Sequence, residues 1–72
     1  MSSFRIGVKD AADATQIAIQ FLMKYSLYNK PKGATLANGK WTVKVDVGLT
    51  IVRLATVEID ATNREILSYN IP

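Results

Sequence analysis

Two runs of alternating apolar and polar residues in the second half of the chain constrain its fold more than any other feature. The first run is Trp41-Thr-Val-Lys-Val-Asp-Val47, and the second is Leu54-Ala-Thr-Val-Glu-Ile-Asp60. A period of two places the apolar side chains on one face of a strand and the polar side chains on the other. The pattern therefore predicts an antiparallel sheet with a single buried face.

The strand and turn signals predict a meander. Strands are predicted at about 34–37, 40–47, 54–60 and 65–71, with a further short strand or ordered arm at 4–8. The pair Asn38-Gly39 is typical of a type I′ hairpin turn, in which both central residues need positive φ. Residues 60–64 have the composition of another turn. Between Gly48 and Arg53 the alternation changes phase, so either a turn at Gly48 or a bulge near Arg53 interrupts the pairing.

One helix is predicted before the strands, at about 10–29. Asp10 is a suitable N-cap, and the polar and helix-breaking residues from Asn29 to Gly33 predict its end. One face of this helix is predicted to cover the sheet: Ala11, Ala14, Ala18, Phe21, Leu22 and Tyr25. We therefore predict a single α+β domain over residues 1–72, with one N-terminal helix packed on a three- to four-stranded antiparallel meander.

The predicted helix carries a second apolar stripe, formed by Ile19, Met23 and Leu27 together with Ala12. A helix that covers one sheet needs only one apolar face. Two explanations remain open. The N-terminal arm could fold over the second stripe, or the stripe could be an interface to a second copy or to another protein.

Four lysines surround the predicted hairpin: Lys30, Lys32, Lys40 and Lys44. The net charge of the chain is +3. This basic patch, with Trp41, is a candidate site for nucleic acid or for an acidic partner. The alternative is that these lysines only solvate loops and the open face of the sheet.

The residue types in the chain argue against catalysis. There is no histidine and no cysteine, so thiolate metal sites, disulfides and a histidine-activated nucleophile are excluded, and no cofactor or metal site is predicted. Asp46 and Glu58 are predicted on the open face, paired with Lys44 or Arg53 rather than acting as an acid/base pair. The sequence shows neither a signal peptide nor a membrane span, so a cytoplasmic protein without a membrane partner is expected.

The order of these elements resembles the PepSY domain. The resemblance lies in a helix opening Val8-Lys-Asp-Ala-Ala-Asp-Ala14, the first alternating run, and Val57-Glu-Ile-Asp-Ala61 followed by Glu65-Ile-Leu-Ser-Tyr69. Within that shape, the two runs and the last strand resemble most closely the gas vesicle accessory protein O family. The resemblance covers about residues 8–70 and implies a helix on an antiparallel sheet, in a PepSY-like or cystatin-like layout, with an accessory or peptidase-regulating role.

Three functional hypotheses follow. The first is a small non-catalytic interaction or accessory module, docking to a protein partner or to a second copy through Ile19, Met23 and Leu27. The second is a nucleic-acid-binding protein that uses the lysine patch. The third is a PepSY-like regulator of a peptidase, for which the segment at Gly48 is the only candidate inhibitory loop.

Overall fold

The computed structural model describes residues 7–72 and confirms the α+β class. The elements are α1 (Ala11–Leu22), β1 (Lys30–Ala37), β2 (Lys40–Asp46), β3 (Leu54–Asp60) and β4 (Ile66–Asn70). The strands form one antiparallel sheet in the order β1-β2-β3-β4, and α1 covers one face of it. No helix within residues 7–72 is long and apolar enough to cross a membrane.

The two turns predicted from the sequence are present. Asn38 and Gly39 have φ of 53° and 75°, as a type I′ turn requires, and they join β1 to β2. In the β3–β4 turn, the Asp60 carboxylate accepts the backbone N–H of Thr62 at 2.8 Å. Of the predicted arm, residues 4–6 lie outside the described residues; the N–H of Val8 donates to the carbonyl oxygen of Ala61 at 2.8 Å.

The core lies between α1 and the inner face of the sheet. Alternation along β2 and β3 supplies one side of it, and α1 supplies the other. Its fully buried members are Ala14, Ala18, Leu22, Val43, Val45, Ala55, Val57 and Ile59. Small residues on the first two turns of the sheet-facing stripe let the helix axis approach the strands closely, because an alanine side chain extends only one carbon from the backbone.

The helix is shorter than the predicted range of 10–29. Asp10 caps it as predicted, accepting the N–H of Asp13 at 2.9 Å. At the other end it stops at Leu22, and the next backbone bonds include the shorter i→i−3 type. Beyond this turn the Ser26 hydroxyl accepts the N–H of Tyr28 at 3.2 Å, so this N–H bonds to a side chain and not to a helical carbonyl oxygen.

Strand β1 begins at Lys30, four residues earlier than predicted. Pro31 and Gly33, which the sequence suggests as helix-stopping residues, lie within this strand, and the register shifts between them. A proline and a bulge are tolerated here because β1 is an edge strand, where one side of the backbone needs no ladder partner.

Candidate functional site

The three interface candidates predicted from the sequence do not share a helical stripe. Ile19 is half-buried on α1, Met23 is the C-cap and is 59% exposed, and Leu27 lies beyond the helix. The predicted second stripe is therefore wrong as a continuous helix face, because α1 ends at Leu22. The role of these three residues in binding stays a prediction.

The β2–β3 loop, residues 47–53, is closed at its base by hydrogen bonds. The N–H of Val47 donates to the carbonyl oxygen of Arg53 at 2.9 Å. One carboxylate oxygen of Asp46 accepts two backbone N–H groups, from Gly48 at 2.9 Å and from Arg53 at 3.0 Å. The phase change that the sequence shows here is therefore a loop that turns at Gly48, not a bulge within a continuous strand.

The burial of Asp46 differs from the prediction. The alternation places it on the open face beside Lys44, yet its exposed fraction is only 6%. The predicted pairing with the Lys44 or Arg53 side chain is wrong, because the loop folds back and satisfies the carboxylate with backbone groups. The N–H groups of Arg53 and Gly48 hold the pKa of Asp46 below its ordinary value, since both stabilise the ionised form.

Gly48 is required by the tight path of this loop. A Cβ atom at this position would lie 1.8 Å from the carbonyl oxygen of Ile51 and 3.0 Å from the backbone nitrogen of Arg53. No real side chain tolerates such a contact with backbone. The loop therefore has one defined backbone conformation at its base, and this fixes the direction in which its outer residues project.

The same loop carries large apolar side chains into solvent. Their exposed fractions are 77% for Leu49, 69% for Ile51 and 69% for Val52. The Ser26 hydroxyl lies 3.4 Å from the carbonyl oxygen of Val47, so the segment after α1 runs beside this loop. That segment contributes Leu27, whose side chain is 101% exposed. We call this set, Leu27, Leu49, Ile51 and Val52, the apolar tip.

Basic residues lie at the base of the apolar tip. Lys30 lies opposite Asp46 in the register of β1 and β2. The charges of Lys32 and Lys30 help to lower the pKa of Asp46. Lys44 and Lys32 line one shallow groove on the open face of the sheet. Arg53 closes the loop and donates from its guanidinium to the backbone oxygen of Pro72 at 2.8 Å. We call these four residues, Lys30, Lys32, Lys44 and Arg53, the basic rim.

The remaining acidic residues lie toward the opposite end of the sheet and at the start of α1: Asp10, Asp13, Glu58, Asp60 and Glu65. Two of them are paired. Arg64 donates to Asp13 at 2.6 Å and 3.0 Å, and Lys40 contacts Glu58 at 3.2 Å. The side-chain bond to Arg64 lowers the pKa of Asp13 to about 2. Lys9, Lys40 and Arg64 lie at this acidic end too, whereas the basic rim at the other end has Asp46 as its one acidic side chain among residues 7–72.

The predicted lysine patch is divided. Lys30, Lys32 and Lys44 form no ion pair with any carboxylate in residues 7–72, whereas Lys40 is paired with Glu58 near the other end. Trp41 packs against the core on the helix-covered face. Because neighbouring residues of a strand point to opposite faces, Trp41 and the lysines do not form one surface, and Trp41 offers no platform for base stacking beside the lysines.

Three aromatic rings cluster where the end of α1 meets β4. The Phe21 and Tyr69 ring centroids are 4.8 Å apart in an edge-on arrangement, and those of Tyr25 and Tyr69 are 6.0 Å apart. The interaction with the Tyr25 hydroxyl raises the pKa of Tyr69. The sequence predicts Tyr25 on the core face of the helix; it is instead about half exposed, because the helix has already ended. This cluster joins β4 to the helix end.

The acidic residues of the described part of the chain are not grouped as metal ligands. Residues 7–72 contain no group of three side chains that could hold a metal ion. Glu58 is held ionised by Lys40 and by the Ser68 hydroxyl at 3.0 Å, which lower its pKa. A general acid needs the opposite shift.

Comparison with known proteins adds no relative. No protein-family model, no curated protein and no solved structure matches the chain. The candidate surface therefore depends on geometry. Sequence reasoning missed Leu49, Ile51 and Val52 as site residues; the available signal was a Leu-Thr-Ile-Val run placed directly after a glycine, within which the alternation changes phase at Val52.

Proposed function

We propose that the chain is a small non-catalytic interaction module that docks through the apolar tip. The observation that carries the proposal is the exposure of four large aliphatic side chains, each at least 69% exposed, at one end of a domain with a separate, filled core. Complete burial of such a side chain is worth about 1.5–3 kcal/mol, so a partner that covered the tip would gain substantially.

The hydrogen bonds at the base of the loop favour this role. Because Asp46 and Gly48 define the loop path, docking does not have to order the backbone that carries the apolar side chains, which lowers the entropic cost of binding. This role agrees with the accessory function that the resemblance to the gas vesicle accessory protein O family implies. Self-association through the tip is one form of it.

Hydrophobic interaction chromatography tests the proposal without a known partner. The test variant is Leu49→Ser/Ile51→Ser, and the matched control is Leu36→Ser/Leu67→Ser, whose side chains are 52% and 49% exposed outside the tip. We expect the tip variant to elute clearly earlier than the native chain and the control to shift less. Equal shifts for both variants would show that the tip is not the dominant apolar surface.

Thermal unfolding of the same proteins completes this test. Exposed side chains contribute little to folding, so the tip variant should unfold within about 0.5 kcal/mol of the native chain. A large loss of stability would mean that Leu49 or Ile51 packs against the domain, and docking through the tip would then be wrong.

Nucleic-acid binding is a second candidate, supported by the groove that Lys32 and Lys44 line without carboxylate partners among residues 7–72. It predicts an affinity for duplex DNA that falls with salt and with Lys32→Gln/Lys44→Gln. The position of Trp41 on the other face makes it the weaker candidate. Peptidase regulation through the β2–β3 loop stays a prediction, which inhibition assays would test.

A further inference from the structure

We infer that the apolar tip and the basic rim together form a docking surface for an anionic lipid bilayer. This inference rests on the proposed function and names its partner. It concerns shallow attachment of the tip at the headgroup level, with the sheet and helix remaining outside the hydrocarbon.

The first argument is the form of the tip. Its four side chains project from a loop and from the segment beside it, and 69–101% of each is open to solvent. A protein partner must supply a shaped groove for such a projection. A fluid bilayer accepts projecting aliphatic groups without a matching shape, and apolar side chains enter the boundary between headgroups and acyl chains to a depth of about 5–10 Å.

The second argument is charge. Lys30, Lys32 and Arg53 lie at the base of the tip, where they would reach phosphate groups while the tip enters between the headgroups. Each basic residue near an anionic leaflet adds to the attraction. The only side-chain carboxylate at this end within residues 7–72 is Asp46, which is 6% exposed and already accepts two backbone N–H groups. No exposed acidic side chain among the described residues opposes approach.

The third argument separates this occupant from a second copy of the chain. Docking two tips symmetrically would also bring two basic rims together, with no exposed acidic group of residues 7–72 at this end to compensate them. The acidic groups that could do so, such as Asp60 and Glu65, lie at the far end of the sheet. An anionic bilayer would bury the apolar tip and attract the basic rim at the same time.

Backbone chemistry limits the depth of insertion. Loop backbone that enters hydrocarbon without hydrogen-bond partners is strongly disfavoured, and residues 49–52 lie outside the strands. The loop must therefore keep its peptide groups in the hydrated headgroup layer while the side chains of Ile51 and Val52 reach deeper. This predicts peripheral, reversible and salt-sensitive attachment.

Vesicle flotation tests the inference on the full chain. The probes are phosphatidylcholine vesicles with and without phosphatidylglycerol. The proteins are the native chain, the tip variant Leu49→Ser/Ile51→Ser and its control Leu36→Ser/Leu67→Ser. Two single variants test the charge: Lys32→Gln in the basic rim and, as its control, Lys9→Gln. Lys9 lies before α1, at the end away from the rim. Retained thermal unfolding is checked for each variant.

We expect the native chain to float only with anionic vesicles, and the tip variant to bind at least about tenfold more weakly, because each lost aliphatic contact is worth about a factor of ten or more. Lys32→Gln should weaken binding more than Lys9→Gln. Salt should release the native chain as the Debye length falls below about 10 Å.

Three results would overturn the inference: no flotation of the native chain, equal flotation of the tip variant and its control, or equal binding to neutral vesicles. Light scattering shows whether only the bilayer is wrong as the partner or whether the tip does not dock at all. A native dimer that the tip variant breaks, without vesicle binding, would identify a second copy as the occupant. Equal shifts of the tip variant and its control on the hydrophobic column would instead reject the docking surface altogether.

Discussion

The backbone N–H of Arg53 donates to the buried carboxylate of Asp46 at 3.0 Å, and so ties the last residue of the β2–β3 loop to the last residue of β2. The same oxygen also accepts the N–H of Gly48 at 2.9 Å. One acidic side chain therefore organises a seven-residue loop whose outer positions are aliphatic. This explains how a loop rich in large apolar residues keeps them in solvent instead of folding them against the core.

Replacing Asp46 with Ala should loosen the loop. Two backbone N–H groups would lose their acceptor, which is costly where water is largely excluded. Amide hydrogen exchange of Gly48 and Arg53 should accelerate, and the melting temperature should fall. Glu58→Ala is the matched control, because the partners of Glu58 are the side chains of Lys40 and Ser68. Unchanged exchange at Gly48 in the Asp46 variant would contradict the role of this carboxylate.

Gly48→Ala should destabilise the domain by at least about 2 kcal/mol in a chemical denaturation experiment. The added Cβ would fall 1.8 Å from the Ile51 carbonyl oxygen, so the backbone of the loop would have to move. Gly33→Ala provides the control, since a Cβ at Gly33 meets nothing within 4 Å. Similar stabilities for the two variants would mean that the loop base has a different path.

The close approach of α1 to the sheet predicts a third result. Ala18 is fully buried, so Ala18→Leu should overpack the core and cost about 1–3 kcal/mol. Ala12→Leu places the same change on an exposed position of the same helix and should be nearly neutral. If Ala18→Leu unfolded at the same denaturant concentration as Ala12→Leu, the helix would not pack on the strands as closely as described.

Acid should weaken the link between α1 and the β3–β4 turn. The bond with Arg64 lowers the pKa of Asp13 from 3.8 to about 2. A lowered folded-state pKa contributes stability that is complete above the unfolded value and is lost as pH falls from about 3.8 toward 2. Asp13→Asn should therefore lower the melting temperature at pH 6, and its difference from the native chain should shrink toward pH 2. A difference that does not vary with pH would contradict this linkage.

Local patterns predicted most of the sheet. Alternation in β2 and β3 and the pair Asn38-Gly39 are properties of adjacent residues, so they can be identified without knowledge of tertiary contacts. The end of α1 could not be predicted in this way, because the apolar pattern continues to Leu27. The helix stops at Leu22, and the segment after it turns at Ser26, whose hydroxyl contacts Tyr28 and also Val47, 21 residues along the chain.

The candidate site was the part that the sequence predicted least. Asp46 alternates with Val45 like any outward strand residue, and only the return of the loop buries it. Leu49 continues the inward phase of β2, which suggested core rather than surface. Leu27 was predicted as a binding residue from a helical stripe, but α1 ends at Leu22 and the stripe does not reach it. Burial by a loop depends on tertiary geometry and leaves no periodic signal.

The separation of the basic rim from the acidic residues also has a kinetic consequence. An excess of acidic side chains at one end of the strands and of basic side chains at the other gives the described part of the molecule a permanent electric moment along them. In the field of an anionic surface such a molecule rotates during its diffusional approach, so that its basic end arrives first. The aliphatic side chains at that end are then aligned with the surface before they touch it, and fewer encounters are lost to unproductive orientations.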